Sequence, residues 1–230
     1  MGNKQKQPAQ QMKSIDKRII VAEGKYLDLN ELVTFQHGYD GLHIWEAGIV
    51  LARYVVLNPE LFRQMEVLEL GSGVGIGALA VLKFTACKKC TLSDYNPSIL
   101  ENMRLNCNKN EFPNAEVLQL DWTRHQQSNL QYDLIIGSDV VYFGCPVRDL
   151  YLLIKKTLRP KGRAIIVIPD RKNYAQLFVR EIEEEFFTFS KVKLEDPRYF
   201  VSPLQDGPAG LKEYNLLTDI DFYVYSLTKK

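Results

Sequence analysis

At 230 residues, 46% hydrophobic and 25% charged, the chain is long enough to bury the core of one domain. A net charge of +1 supplies no general basic field for nucleic acid, and no apolar run suits a bilayer span or a signal-peptide core. A soluble cytoplasmic protein is the expectation, with the nucleus as the other compartment and no membrane partner. Four cysteines make no disulfide scaffold at this length. Cys87 and Cys90 stand at C-x-x-C spacing, but Cys107 has no partner to complete a zinc site, so they read as reduced thiols beside a turn and no metal is expected.

Residues 1–17 are rich in Gln and Lys without apolar period, which reads as a disordered tail ahead of a single domain over 18–230. Residues 18–60 form a segment before the main sheet. Within it, 18–22 and 32–35 read as short strands of a hairpin, Gly38 to Gly41 as a turn, and 42–57 as a helix stopped by Asn58-Pro59.

At 66–77, E-V-L-E-L-G-S-G-V-G-I-G, an apolar run gives way to glycines at every second position, and the Ala-rich segment 78–84 follows. That is strand, tight turn, helix. Glycines suit a turn that takes positive φ and lets a ligand approach the backbone without meeting a Cβ. The free N–H groups of the helix behind it suit an anionic or carboxylate-bearing cofactor. Gly73, Gly75 and Ala78 fit the dinucleotide pattern G-x-G-x-x-A, whereas Glu69, Gly71, Gly73 and Gly75 fit the E-x-G-x-G-x-G loop of enzymes that use S-adenosylmethionine. Both patterns want an acid at the end of the next strand, placed to accept from a ribose diol, and Asp94 stands there.

Downstream, strands and helices alternate. Residues 90–93 read as the second strand, Asn96-Pro97 opens a helix, 117–120 is a third strand ending at Asp121-Trp122, and 132–138 is a fourth, continuously apolar as buried parallel strands are. Helix 147–158 closes at Arg159-Pro160-Lys161-Gly162, and 164–168 is the fifth strand. Helix 174–187 carries an acidic run, Glu181 to Glu185, read as a solvated face. Strand 189–194, a Pro- and Gly-rich loop insertion over 195–217, and a last strand over 220–227 complete the chain. The fold class implied is α/β, a doubly wound seven-stranded Rossmann-like sheet. Because no helix separates the last two strands, the C-terminal strand is expected to be antiparallel.

In this order and spacing the pieces resemble a class I S-adenosylmethionine-dependent methyltransferase. More narrowly, they are similar to the family-16 protein-lysine methyltransferases, which include calmodulin-lysine, chaperone-lysine and elongation-factor-lysine enzymes. The matching residues run from Gly41 through Trp45-Glu46-Ala47, Glu69 to Gly75, Ser93-Asp94-Tyr95-Asn96 and Leu120-Asp121-Trp122 to Ser138-Asp139-Val140-Val141-Tyr142, which carries the family's D-x-x-Y. The resemblance implies S-adenosylmethionine as cofactor, S-adenosylhomocysteine as product, and a protein substrate carrying the target lysine, with a monomer expected. It implies that Glu69, Gly71 and Gly73 hold the methionine end, Asp94 the ribose, and Asp121 and Trp122 the adenine end. Tyr95 and Ser138 complete the set and Trp45 closes the pocket. Asp139 would orient the amine or accept its proton, with Tyr142 beside it by a hydrogen bond or cation–π contact.

Other functions stay open at this point. Small-molecule or non-lysine methylation would use the same cofactor half. The prolines that mark methylation of nucleic-acid bases are missing around Asp139. A nicotinamide-dependent oxidoreductase would reuse the glycine loop and Asp94 but leave Asp121-Trp122 and the closing strand pair unexplained, and a silent fold could serve as a binding module.

Overall fold

The computed structural model describes residues 13–33, 40–113, 115–171, 174–204, 214 and 216–230. A hairpin comes first: β1 (Lys13–Ala22) and β2 (Lys25–Val33) pair antiparallel, with Lys13 opposite Val33 and Ile20 opposite Tyr26. It begins inside the stretch expected as tail. Polar residues there are structural, since Lys17 pairs with Glu31 at 2.6 Å and both are largely buried. The second strand likewise starts at Lys25 instead of residue 32; Thr34, Phe35, Gly38 and Tyr39 lie outside the described residues.

After a short 3-10 turn, Asp40–Leu42, helix α1 (Glu46–Leu57) starts four residues later than its pattern suggests, because Trp45 is extended (φ −93°, ψ 148°) and acts as its N-cap. The main unit then alternates β3 (Glu66–Leu70), α2 (Ile76–Phe84), β4 (Lys89–Asp94), α3 (Pro97–Lys109), β5 (Glu116–Gln119), β6 (Tyr132–Ser138), α4 (Val147–Thr157), β7 (Leu158–Pro169), α5 (Tyr174–Glu181) and β8 (Phe187–Lys193). A short α6 (Leu216–Asp219) leads into β9 (Phe222–Lys229).

The sheet order is β5-β4-β3-β6-β7-β9-β8, and β9 runs antiparallel to both β7 and β8. This is the seven-stranded Rossmann-like arrangement with an antiparallel C-terminal strand. Successive strands move outward from β3 in one direction and from β6 in the other, so the crevice opens where β3 and β6 end side by side. Strand β7 begins at Leu158, six residues early: Leu158 still pairs with Tyr132, and a register shift with Lys161 at φ 63° absorbs the Pro-Lys-Gly turn. Helix α5 stops at Glu181, short of the expected 187, because Phe187 is needed in the sheet. Glu181 and Glu183 are held by Arg148, and Glu183 also by Lys155 at 2.6 Å, so the acidic run is in part an ion-pair network.

Alternation along β7 fills both faces of the sheet. Ile165 and Val167 join α1, α2 and α3 residues such as Val55, Leu79 and Met103, while Ile166 and Ile168 meet Leu153, Ile154 and Phe178 on the other side. The hairpin is tied on by polar contacts from one face of α3. Asn102, Asn106 and Asn110 recur every fourth residue; Asn106 Nδ2 donates to the Val74 carbonyl at 2.9 Å, and its Oδ1 accepts from the Asn30 N–H at 2.6 Å. Asn110 bonds the backbone of Asp28 in the same way. One helix face thereby connects β2 to the glycine loop.

Candidate active site

The loop after β3 is built on three left-handed glycines: Gly71, Gly73 and Gly75 have φ of +58°, +55° and +88°. Space is short for side chains as well. A Cβ on Gly73 would stand 2.9 Å from the Gly41 carbonyl oxygen, and one on Gly71 would stand 3.1 Å from Val140 and 3.3 Å from the Trp122 ring. Ser72 fixes the loop to β4, its N–H donating to the Ser93 carbonyl at 2.8 Å and its hydroxyl accepting from the Ser93 N–H at 2.9 Å. Asp94 continues the join: Oδ2 accepts from the Gly73 N–H at 3.4 Å and Oδ1 from the Asn96 N–H at 3.1 Å. Burial pushes the Asp94 carboxyl upward, opposed by these N–H donors.

All the expected site residues but one line a single cavity of about 550 Å³: Trp45, Gly71, Gly73, Asp94, Tyr95, Asp121, Trp122, Ser138, Asp139 and Tyr142. The exception is Glu69, which is not among its lining residues. Its Oε2 accepts from the Ala78 N–H at 3.0 Å, and the carboxylate fills the space over Gly77, where a Cβ would collide with it. Glu69 therefore shapes the loop from behind, as an anchor for the first turn of α2. Burial pushes its carboxyl up to about 7.

At the far end of the cavity, Asp121 caps the 3-10 helix Trp122–Gln127, its Oδ1 accepting from the Thr123 hydroxyl at 2.7 Å and N–H at 3.0 Å, which holds the carboxyl below its ordinary range. Trp45 donates its ring N–H to the Asp40 carbonyl at 2.9 Å, packs edge-on to His43, and keeps two-fifths of its surface exposed. Tyr95, Tyr142 and the neighbouring Phe143 are also exposed, the last at 84%.

Asp139 follows β6 with φ +52°, unusual for a residue with a side chain, and its N–H donates to the Val167 carbonyl at 3.0 Å. Its Oδ2 accepts from Arg171 Nη1 at 3.2 Å, and Arg171 Nη2 lies 3.5 Å from Glu46 Oε2. Burial pushes both carboxyls upward. Arg171 and Glu46 were not among the sequence candidates. Arg171 was findable in principle, since it stands two residues beyond β7, on the edge of the sheet where ligands bind. Glu46 was visible only as the middle of Trp45-Glu46-Ala47. Among the described residues no group of three or more His, Cys, Asp or Glu side chains could hold a metal ion, and no helix is long and apolar enough to cross a membrane.

Sheet order, glycine loop and the acid ending β4 define the fold of class I S-adenosylmethionine-dependent methyltransferases. A solved structure of a putative methyltransferase of that kind from Streptococcus mutans matches with a TM-score of 0.60 at 14% identity, covering 96% of this chain and 56% of that one. A family model described as lysine methyltransferase matches residues 25–189, and the chain belongs to that family. A calmodulin-lysine N-methyltransferase of Arabidopsis thaliana is 31% identical over 148 residues, covering 61% of this chain and 49% of that protein. The Bos taurus protein-lysine N-methyltransferase EEF2KMT is 31% identical over 195 residues, covering 71% and 57%. The chain spans about half the length of the curated relatives it matches.

Proposed function

We propose that this protein transfers a methyl group from S-adenosylmethionine to the side-chain amine of a lysine in another protein. The observation that carries the reading is a shared cavity: the Cβ-free cradle of Gly71 and Gly73 with Asp94 opens into the same space as Asp139 and Tyr142. The donor set fits the cofactor. Gly71 and Gly73 permit close backbone approach, Asp94 accepts from ribose hydroxyls, and Trp122 offers a flat ring for the adenine with Asp121 beside it. When bound, S-adenosylmethionine supplies a sulfonium methyl open to in-line displacement.

The protein's own task is then alignment and charge. Asp139 holds and orients the amine, and Tyr142 flanks it with a ring face suited to a cation. A free lysine titrates near about 10.4, so the amine must give up its proton to solvent before it can react. Relatives named for lysine methylation support a protein substrate.

Calorimetric titration with S-adenosylmethionine, S-adenosylhomocysteine and NAD, repeated on Asp94→Ala, tests the cofactor half. Binding of the two adenosyl ligands, lost in the variant, is the expected result. Binding of NAD alone would return the glycine loop to the dinucleotide class.

A further inference from the structure

Arg171 stands just past the end of β7 and reaches two carboxylates delivered by different elements, Asp139 after β6 and Glu46 at the start of α1. Nη1 donates to Asp139 at 3.2 Å, and Nη2 faces Glu46 at 3.5 Å. The two acids are largely buried, their side chains only 16% and 9% exposed. Among the described residues Arg171 acts on both acids, and Asp139 also acts on Glu46. One cation therefore bridges two acids, and the cluster carries a single net negative charge when both are ionised.

That count matters for an acceptor amine. A pair of buried carboxylates without an opposing charge would hold a lysine as ammonium, the unreactive form. A guanidinium between them weakens that hold while keeping both acids in place, and its planar fork suits two partners at once.

We propose that Arg171 is a positioning residue that fixes Asp139, which lines the cavity, against Glu46, which does not, and limits how tightly Asp139 holds a lysine ammonium, so that the amine releases its proton to solvent before methyl transfer. The inference rests on the methyltransferase reading of this cavity.

The test is an NMR titration of the protein saturated with S-adenosylhomocysteine, at neutral pH, with n-butylammonium as the probe and n-butanol as its uncharged control. Arg171→Met is expected to bind n-butylammonium about tenfold or more tightly than the wild type, by analogy with the effect of one neighbouring charge on an ionisable group. Butanol binding stays level, Arg171→Lys stays near wild type, and adding Asp139→Asn to Arg171→Met abolishes the gain. Should the Met variant fail to fold, Arg171→Gln carries the same comparison. Equal or weaker n-butylammonium binding in the variant, or an equal gain for butanol, with S-adenosylhomocysteine still bound, overturns the proposal. Failure of the wild type to bind S-adenosylhomocysteine overturns the methyltransferase reading itself, and the inference with it.

Discussion

The Gly73 N–H points at the Asp94 carboxylate across 3.4 Å, so the turn that leaves β3 and the acid that ends β4 form one unit. Neither side is free to adjust alone. The backbone at Gly73 is left-handed and pressed against Gly41, and Asp94 is also committed to the Asn96 N–H.

Gly73→Ala therefore meets two penalties, a positive φ and a Cβ 2.9 Å from a backbone carbonyl. A left-handed backbone on a non-glycine residue alone costs about 1–2 kcal/mol. Thermal unfolding should show a clearly lowered midpoint, and calorimetry should show S-adenosylhomocysteine binding lost. A variant with wild-type stability and affinity would mean that the loop relaxes freely.

Asp94 also sets a pH dependence. Its carboxyl is raised by burial, and only the ionised form offers all its acceptors. Binding of S-adenosylhomocysteine should accordingly weaken as pH falls, beginning above the ordinary aspartate value of about 3.9. Asp94→Asn should bind more weakly with a flatter profile, and an unchanged profile would remove Asp94 from the ligand contacts.

Glu69 acts on stability in the opposite sense. Its folded-state value of about 7 lies above the ordinary 4.5, so its contribution is complete below the unfolded value and is lost as pH rises through 7. At pH 8 the ionised carboxylate should cost about 3 kcal/mol relative to pH 4, by linkage at 1.36 kcal/mol per pKa unit. Glu69→Gln keeps an acceptor for the Ala78 N–H without the charge. Denaturant midpoints of the two proteins should converge at pH 5 and diverge at pH 8 in favour of the Gln variant, and parallel curves would show that Glu69 does not titrate in this range.

Asp139→Asn separates chemistry from binding. Calorimetric affinity for S-adenosylhomocysteine should persist, while labelled methyl transfer falls by about a hundredfold, the scale for losing the alignment of a reacting group. Full turnover in this variant would remove the assigned role.

The half of the site proposed to hold the cofactor is legible because it is local. Strand, glycine turn and helix lie within nineteen residues, and Asp94 and Asp121-Trp122 follow later strands on the same edge of the sheet. What stayed hidden depends on distant partners. Arg171 gains meaning only from Asp139 and Glu46, which are 32 residues away across β7 and at the start of α1 respectively. The sequence places strand β2 late because Glu31, buried in its pair with Lys17, interrupts the apolar alternation set by Leu27 and Leu29. Glu69 fitted its motif, yet a sequence pattern does not say which way a side chain at the end of a buried strand faces.

Lysine methylation itself is tested most directly by incubating the protein with tritiated S-adenosylmethionine and a cell lysate, then hydrolysing the labelled proteins and separating their amino acids. Label recovered as methyl-lysine, absent with Asp139→Asn, is the result expected. Label confined to arginine or to small molecules, or no transfer by a protein that binds S-adenosylmethionine, would contradict the assignment.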